Sequence, residues 1–112
     1  MAVTLKLLVP RKHAENAQTV QYTVPAGTKA VIDKFTATNT SAAVASLSVN
    51  LVPSGGAAGA DNLVLKARAI SPGETYTCPE MVGQVLEAGA TVSTLASAAA
   101  ALTISVSGRE VV

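Results

Sequence analysis

From Ala45 to Leu51 the chain alternates without a break. Ala45, Leu47, Val49 and Leu51 are apolar, and Ser46, Ser48 and Asn50 between them are polar. A period of two places every second side chain on the same face of an extended chain, so this stretch reads as a half-buried strand within Val44–Val52. The same period recurs elsewhere. Val3, Leu5, Leu7 and Val9 fall on one side, with Thr4, Lys6 and Leu8 on the other. Val20, Tyr22 and Val24 alternate with Gln21 and Thr23, and Leu102, Ile104 and Val106 with Thr103 and Ser105. Ala30–Thr38 reads as a strand with Val31, Phe35 and Ala37 toward the core and Asp33 among them, at the rim or paired with Lys34 or another neighbour, because a bare buried carboxylate is costly. Asn62–Ile70 reads as a strand with Leu63, Leu65, Ala67 and Ala69 inward and Lys66 and Arg68 outward. Glu74–Cys78 and Thr91–Leu95 are shorter extended pieces.

Turn chemistry separates these runs. Pro10 is expected to end the first strand, since proline gives no donor to a ladder; the polar run Arg11–Thr19 then forms a loop, with at most one helical turn over Ala14–Ala17. Pro25-Ala26-Gly27 suits a type II turn, with proline holding φ near its fixed value and glycine accepting positive φ. Asn39-Thr40-Ser41, Ser71-Pro72-Gly73, Ala88-Gly89 and Ser107-Gly108 are further corners. The Gly- and Ala-rich segment from Pro53 to Asp61 is expected to be an exposed, mobile loop. After Pro79 the spacing of Met81, Val82, Val85 and Leu86 fits one face of a short helix near 79–86, with a strand through Val85-Leu86 as the alternative. About eight short strands with turn signals every 8–12 residues or so give an all-β fold, a single antiparallel β-sandwich of jelly-roll or immunoglobulin-like type occupying 1–112 as one domain.

The composition narrows the core and the surface. Apolar residues make up 49% of the 112, yet Phe35, Tyr22 and Tyr76 are the only aromatics. The core must therefore be thin and built from Val, Leu and Ile, as between two sheets roughly 10 Å apart. Charged residues are 13% and the net charge is +1, about half the usual charged share of ~25%. With no basic stripe, nucleic-acid binding through phosphates is not expected. A surface so short of charge suits a protein held in an assembly, because charge is what keeps free monomers apart. The N-terminal stretch lacks the long apolar run of a signal peptide, and no apolar run reaches the ~20 residues of a membrane span. Synthesis in a cytoplasm is the expectation.

Catalytic signals are absent. His13 is the sole histidine and Cys78 the sole cysteine, so no disulfide and no His- or Cys-based metal site is expected. Nothing in the spacing brings His13 to Cys78 as a base to a nucleophile. The seven carboxylates (Glu15, Asp33, Asp61, Glu74, Glu80, Glu87, Glu110) would have to face each other across a cleft to cleave a glycoside. Gly55-Gly56-Ala57-Ala58-Gly59 lacks the Lys-Ser/Thr ending of a phosphate loop. No enzyme activity, cofactor or small-molecule substrate is expected. Glu74, Glu80 and Glu87 lie beside turns, either solvated or facing cations of a neighbouring subunit.

Two stretches carry a resemblance. Tyr22-Thr23-Val24-Pro25-Ala26-Gly27-Thr28 followed by a strand to Asn39-Thr40-Ser41, and Leu86-Glu87-Ala88-Gly89-Ala90-Thr91-Val92 followed by Leu102–Val106 and Ser107-Gly108-Arg109-Glu110, resemble small β-sandwich virion structural proteins of tailed bacteriophages. These include capsid decoration (cement) proteins and accessory neck or tail proteins. The resemblance implies a virion location after synthesis in the host bacterium. It also implies no catalytic residues, and partners among the major capsid protein and further copies of the chain. A neck, collar or tail-associated protein is the alternative within the particle, and a carbohydrate- or receptor-binding module the alternative outside it. Edge strands and termini are natural contact arms for such a role, here Val3, Leu5, Leu7 and Val9 at one end and Arg109, Glu110, Val111 and Val112 at the other.

Overall fold

The computed structural model describes residues 2–112, and within them the alternating runs become strands. They are β1 (Val3–His13), β2 (Thr19–Thr23), β3 (Lys29–Asn39), β4 (Ala45–Val52), β5 (Leu63–Ile70), β6 (Thr75–Tyr76), β7 (Val85–Leu86), β8 (Thr91–Ala96) and β9 (Leu102–Val111), with one 3-10 turn over Ala60–Asn62. One sheet has the order β1-β9-β3-β6, with β7 also on β3; the other has the order β2-β8-β4-β5. Every pairing is antiparallel. If β6 and β7 are taken as one interrupted strand, the pairs nest: first with last, second with second-last, β3 with β6 and β7, β4 with β5. A hairpin of four strand pairs wrapped into two facing sheets is the jelly roll. This decides between the two sandwich types that the spacing allowed.

The core between the sheets is as thin as the composition requires. Phe35 is its one central aromatic, surrounded by Ile32, Leu47, Ile70, Met81, Leu102 and Ile104, all fully buried. Asn39 is also fully buried and forms a polar corner between the sheets. Its amide donates to the carbonyls of Ala43 and Ile70 (both 2.8 Å), and its Oδ1 accepts from the N–H (2.9 Å) and hydroxyl (2.7 Å) of Ser41. The Asn39-Thr40-Ser41 corner is therefore held by one satisfied side chain, the condition for burying an amide without penalty. The Pro25–Gly27 turn closes as expected, with Thr28 N–H on the Pro25 carbonyl and Gly27 at φ +70°.

Several expectations are corrected, mostly for one reason: β-bulges shift the inward parity. Pro10 does not end β1. It sits in a register shift between Val9 and Lys12, where no ladder donor is needed, and the strand runs on to His13. The loop is correspondingly shorter, and Ala14–Ala17 forms no helical turn. A first bulge at Leu8 turns both Leu8 and Val9 into the core, leaving Val3, Leu5 and Leu7 outside. In β2 the shift between Val20 and Tyr22 leaves Val20 exposed while Tyr22 is buried. In β3 the extra residue is Asp33, so Ile32 rather than Val31 joins Phe35 and Ala37 inside. In β5 Ala67 takes a positive φ of 45°, its N–H bonds to Ser48 Oγ, and Ala67 and Ala69 are exposed. Ile70 is buried instead, while Arg68, opposite Leu47, stays exposed as expected and lies over the Tyr76 ring. No helix forms over 79–86; turns at Cys78–Met81 and Met81–Gln84 bury Met81 and lead into β7, the alternative reading of Val85-Leu86. The segment 53–61 is exposed, but its far end is tied back. Asn50 donates to the Gly59 carbonyl (3.0 Å) and to Asn62 Oδ1 (2.7 Å), and Asn62 donates to the Ala57 carbonyl (2.9 Å).

Gly108 in β9 is required by close approach. It lies opposite Ile32 beside the Asp33 bulge, and a Cβ there would collide with the Val31 carbonyl and touch Leu8. The obstacle is backbone, which cannot rotate away. Gly108→Ala is expected to destabilise the protein by about 3 kcal/mol or more, the upper range for overpacking, measured as a fall in the denaturant midpoint; an unchanged midpoint would show that β3 and β9 have room to separate.

Candidate interaction surface

The residues weighed for chemistry do not converge. His13 is exposed at the end of β1, at one edge of its sheet, whereas Cys78 follows β6 at the other. Cys78 is fully buried, and burial first, then the Glu80 charge, pushes its thiol up to about 12. It remains a neutral thiol near pH 7. Glu15 pairs with Lys12 (3.0 Å), Asp33 with Arg109 (2.9 Å), Glu87 with Lys29 (3.5 Å) and Glu110 with Lys6 (3.2 Å). Glu74 accepts from the Ser71 N–H of its own turn (2.8 Å), and Glu80 from Tyr76. The glutamates beside turns thus find partners within the chain. Among the described residues no group of His, Cys, Asp and Glu could hold a metal ion, and every buried side-chain polar atom has a partner.

Both open sides of the sandwich are closed by a tyrosine, a glutamate and a cation. On one side Tyr22 of β2 donates to Glu110 of β9, and Lys6 of β1 pairs with that carboxylate and lies 6.0 Å from the Tyr22 ring centre. On the other, Arg68 of β5 sits 4.2 Å over the Tyr76 ring, and Tyr76 donates to both oxygens of Glu80 (2.6 and 2.7 Å). Each group bridges the two sheets where their edge strands face each other. Burial, with the Glu110 charge beside it, drives the Tyr22 hydroxyl far above its ordinary value, and the Tyr22 hydrogen bond holds Glu110 below its own. These residues are far apart in sequence, so no local pattern announced them.

The contact arms inferred from sequence lie against each other. Val3 is opposite Val111, Thr4 opposite Glu110 and Leu5 opposite Arg109, and Ala2 and Val112 exchange backbone bonds of 3.2 and 2.9 Å. Val9 is buried in the core and Glu110 points inward to Tyr22, so neither is available for contact. Val3, Leu5 and Leu7 are 56%, 80% and 44% exposed. They continue across the outer face of the sheet. Register aligns Leu5, Arg109, Val31 and Val85 in one row and Val3, Val111 and Lys29 in the next. Arg109 sits in the middle of this apolar field and forks onto Asp33 through Nε and Nη2 (3.0 and 2.9 Å), which neutralises its charge in place. A shallow groove runs among Leu5, Leu7, Asp33 and Ser107. Exposed Val85 and half-buried Val31 extend this outer face, a placement that follows from the Asp33 bulge and the strand pairing.

No family model matches this sequence, and no curated protein and no solved structure matches it. The fold and the surface define a jelly-roll sandwich whose distinguishing feature is an apolar outer face ending in an open edge strand.

The Glu110 carboxyl, held below its ordinary value of 4.5, contributes stability above that value and loses it as pH falls through the lower folded value. Tyr22→Phe removes the main cause. The variant should lose about 2 kcal/mol near neutral pH, as for a hydrogen bond to a charged group, and the gap to the parent should close in acid. Denaturant midpoints across pH check this; a gap independent of pH would assign the loss to packing alone.

Proposed function

We propose that this protein is a non-enzymatic structural protein of a tailed-bacteriophage virion, a capsid decoration or cement protein that binds the major capsid protein shell and stabilises it. The observation that carries the reading is the outer face of the β1-β9-β3-β7 sheet. Val3, Leu5, Leu7, Val31, Val85 and Val111 form an apolar field on a chain whose charge is about half the usual share. Exposed apolar surface of this kind marks a contact site. A cement protein works by bridging subunits with a rigid body. Here the body is the closed jelly roll, and within the contact face the Arg109 and Asp33 charges offset each other. Jelly rolls occur in viral capsid and lectin domains alike, so the fold supports the reading only by analogy.

A sugar-binding module needs an exposed aromatic platform or a metal, and neither tyrosine offers one: Tyr22 is buried and Tyr76 lies under Arg68. A neck or tail position shares the same surface argument and is separated by copy number, a small ring against a complement spread over the whole shell.

Incubation with capsids stripped of accessory proteins, followed by sedimentation, should show saturable binding and raise capsid resistance to heat. Val85→Asp places a charge in the apolar field at a side chain 58% exposed, and should weaken capsid binding roughly tenfold or more, about 1.4 kcal/mol, with unchanged folding. Failure to bind any capsid form would sink the proposal, and unchanged affinity of the variant would move the contact to another face.

A further inference from the structure

The free edge of β1 has two halves of opposite character. From Leu8 onward it carries the devices by which edges resist pairing. Bulges lie between Leu7 and Val9 and between Val9 and Lys12, Pro10 sits in the second, and Arg11, Lys12 and His13 follow. Val3–Leu7 carries none of them beyond Lys6. These residues run in unbroken register against Val111–Ser107.

Backbone parity adds to this. Ala2 and Val112 exchange both of their backbone bonds. In an antiparallel ladder hydrogen-bonded pairs alternate with non-bonded ones, so Thr4 and Lys6 turn their N–H and C=O groups to β9. Val3, Leu5 and Leu7 turn theirs to the open side. The same three residues place apolar side chains on the outer face.

The segment Val3-Thr4-Leu5-Lys6-Leu7 reads apolar, polar, apolar, polar, apolar, and this pattern is symmetric about Leu5. An antiparallel neighbour centred there is matched by the same segment of a second copy. Val3 then faces Leu7 of the second copy, Leu5 faces Leu5, and Thr4 faces Lys6. Lys6 never opposes Lys6, and it is held on the inner face by Glu110 and Tyr22. Like charges directly opposite would be destabilising, and this register avoids them.

We propose that two copies of this chain associate through antiparallel pairing of β1 over Val3–Leu7, with a two-fold axis at Leu5. Three hydrogen-bonded pairs contribute about six main-chain bonds. The contact is isologous and closes on itself. The bulge at Leu8 ends the pairing, which limits it to a dimer rather than a growing sheet. The two outer apolar faces come to lie side by side. The inference does not depend on the virion reading.

Sedimentation of the purified chain across a concentration range should show a monomer–dimer equilibrium. Leu5→Pro removes only a donor that β9 does not use, and should give a monomer with an intact β spectrum. Because that variant could still disturb β1, cysteine pairs supply a second readout, Cys78 being buried. Under mild oxidation Leu5→Cys should cross-link to itself. Val3→Cys and Leu7→Cys should cross-link when mixed, since opposed residues lie within disulfide reach, whereas neither should alone. A monomer at every concentration overturns the proposal, as does a dimer without the mixed Val3–Leu7 cross-link. Val85→Asp should leave the dimer intact, so loss of capsid binding and loss of self-pairing are separately observable.

Discussion

Strand β9 is paired along both sides, to β1 and to β3, and its register on those neighbours decides what the rest of the molecule presents. Gly108 lets the Val31 carbonyl pass where a side chain would block it. Two residues on, Glu110 reaches inward to Tyr22 and joins the two sheets. Between them Arg109 points outward and forks onto Asp33, the bulged residue of β3. A slip of one residue would exchange these faces, burying Arg109 and expelling Glu110. The same register sets the parity of β1, and so the turn of the Val3, Leu5 and Leu7 backbone toward the open edge.

Much of the architecture was legible because alternation survives in the strands. Ala45, Leu47 and Val49 alternate in the structure as they do in sequence, and all three are buried. The two-sheet arrangement and the scarcity of helix follow from the same period. What alternation could not supply was parity across a bulge. Val31 looked like a core residue because it shares its period with Phe35, yet Asp33 occupies no ladder position and Ile32 takes the inward place. Ala67 failed in the same way, at a positive φ that a β-branched residue would avoid and alanine tolerates at some cost. Pro10 misled in the other direction, since an edge-strand bulge needs no donor there.

The surface was partly legible. The contact arms expected from sequence, Val3–Val9 and Arg109–Val112, are paired with each other in the structure rather than left free. Val9 and Glu110 lie inside that pairing, one in the core and one bound to Tyr22. Half-buried Val31 and exposed Val85 extend the outer face because β7 and β9 flank β3 near its start, a neighbourhood set by topology that no local signal carries. The tyrosine, glutamate and cation groups were equally invisible in sequence. They tie the two sheets together where their edge strands face each other.

Backbone exchange along β1 tests the central claim most directly, that the open edge at Val3, Leu5 and Leu7 is what association covers. Amide hydrogen exchange on the dilute monomer should show slow exchange at Thr4 and Lys6, whose N–H groups face β9, and fast exchange at Val3, Leu5 and Leu7. In the associated protein the three fast sites should become slow while Thr4 and Lys6 stay as they were. Equal exchange at all five positions, or an alternation that association leaves unchanged, would contradict the account.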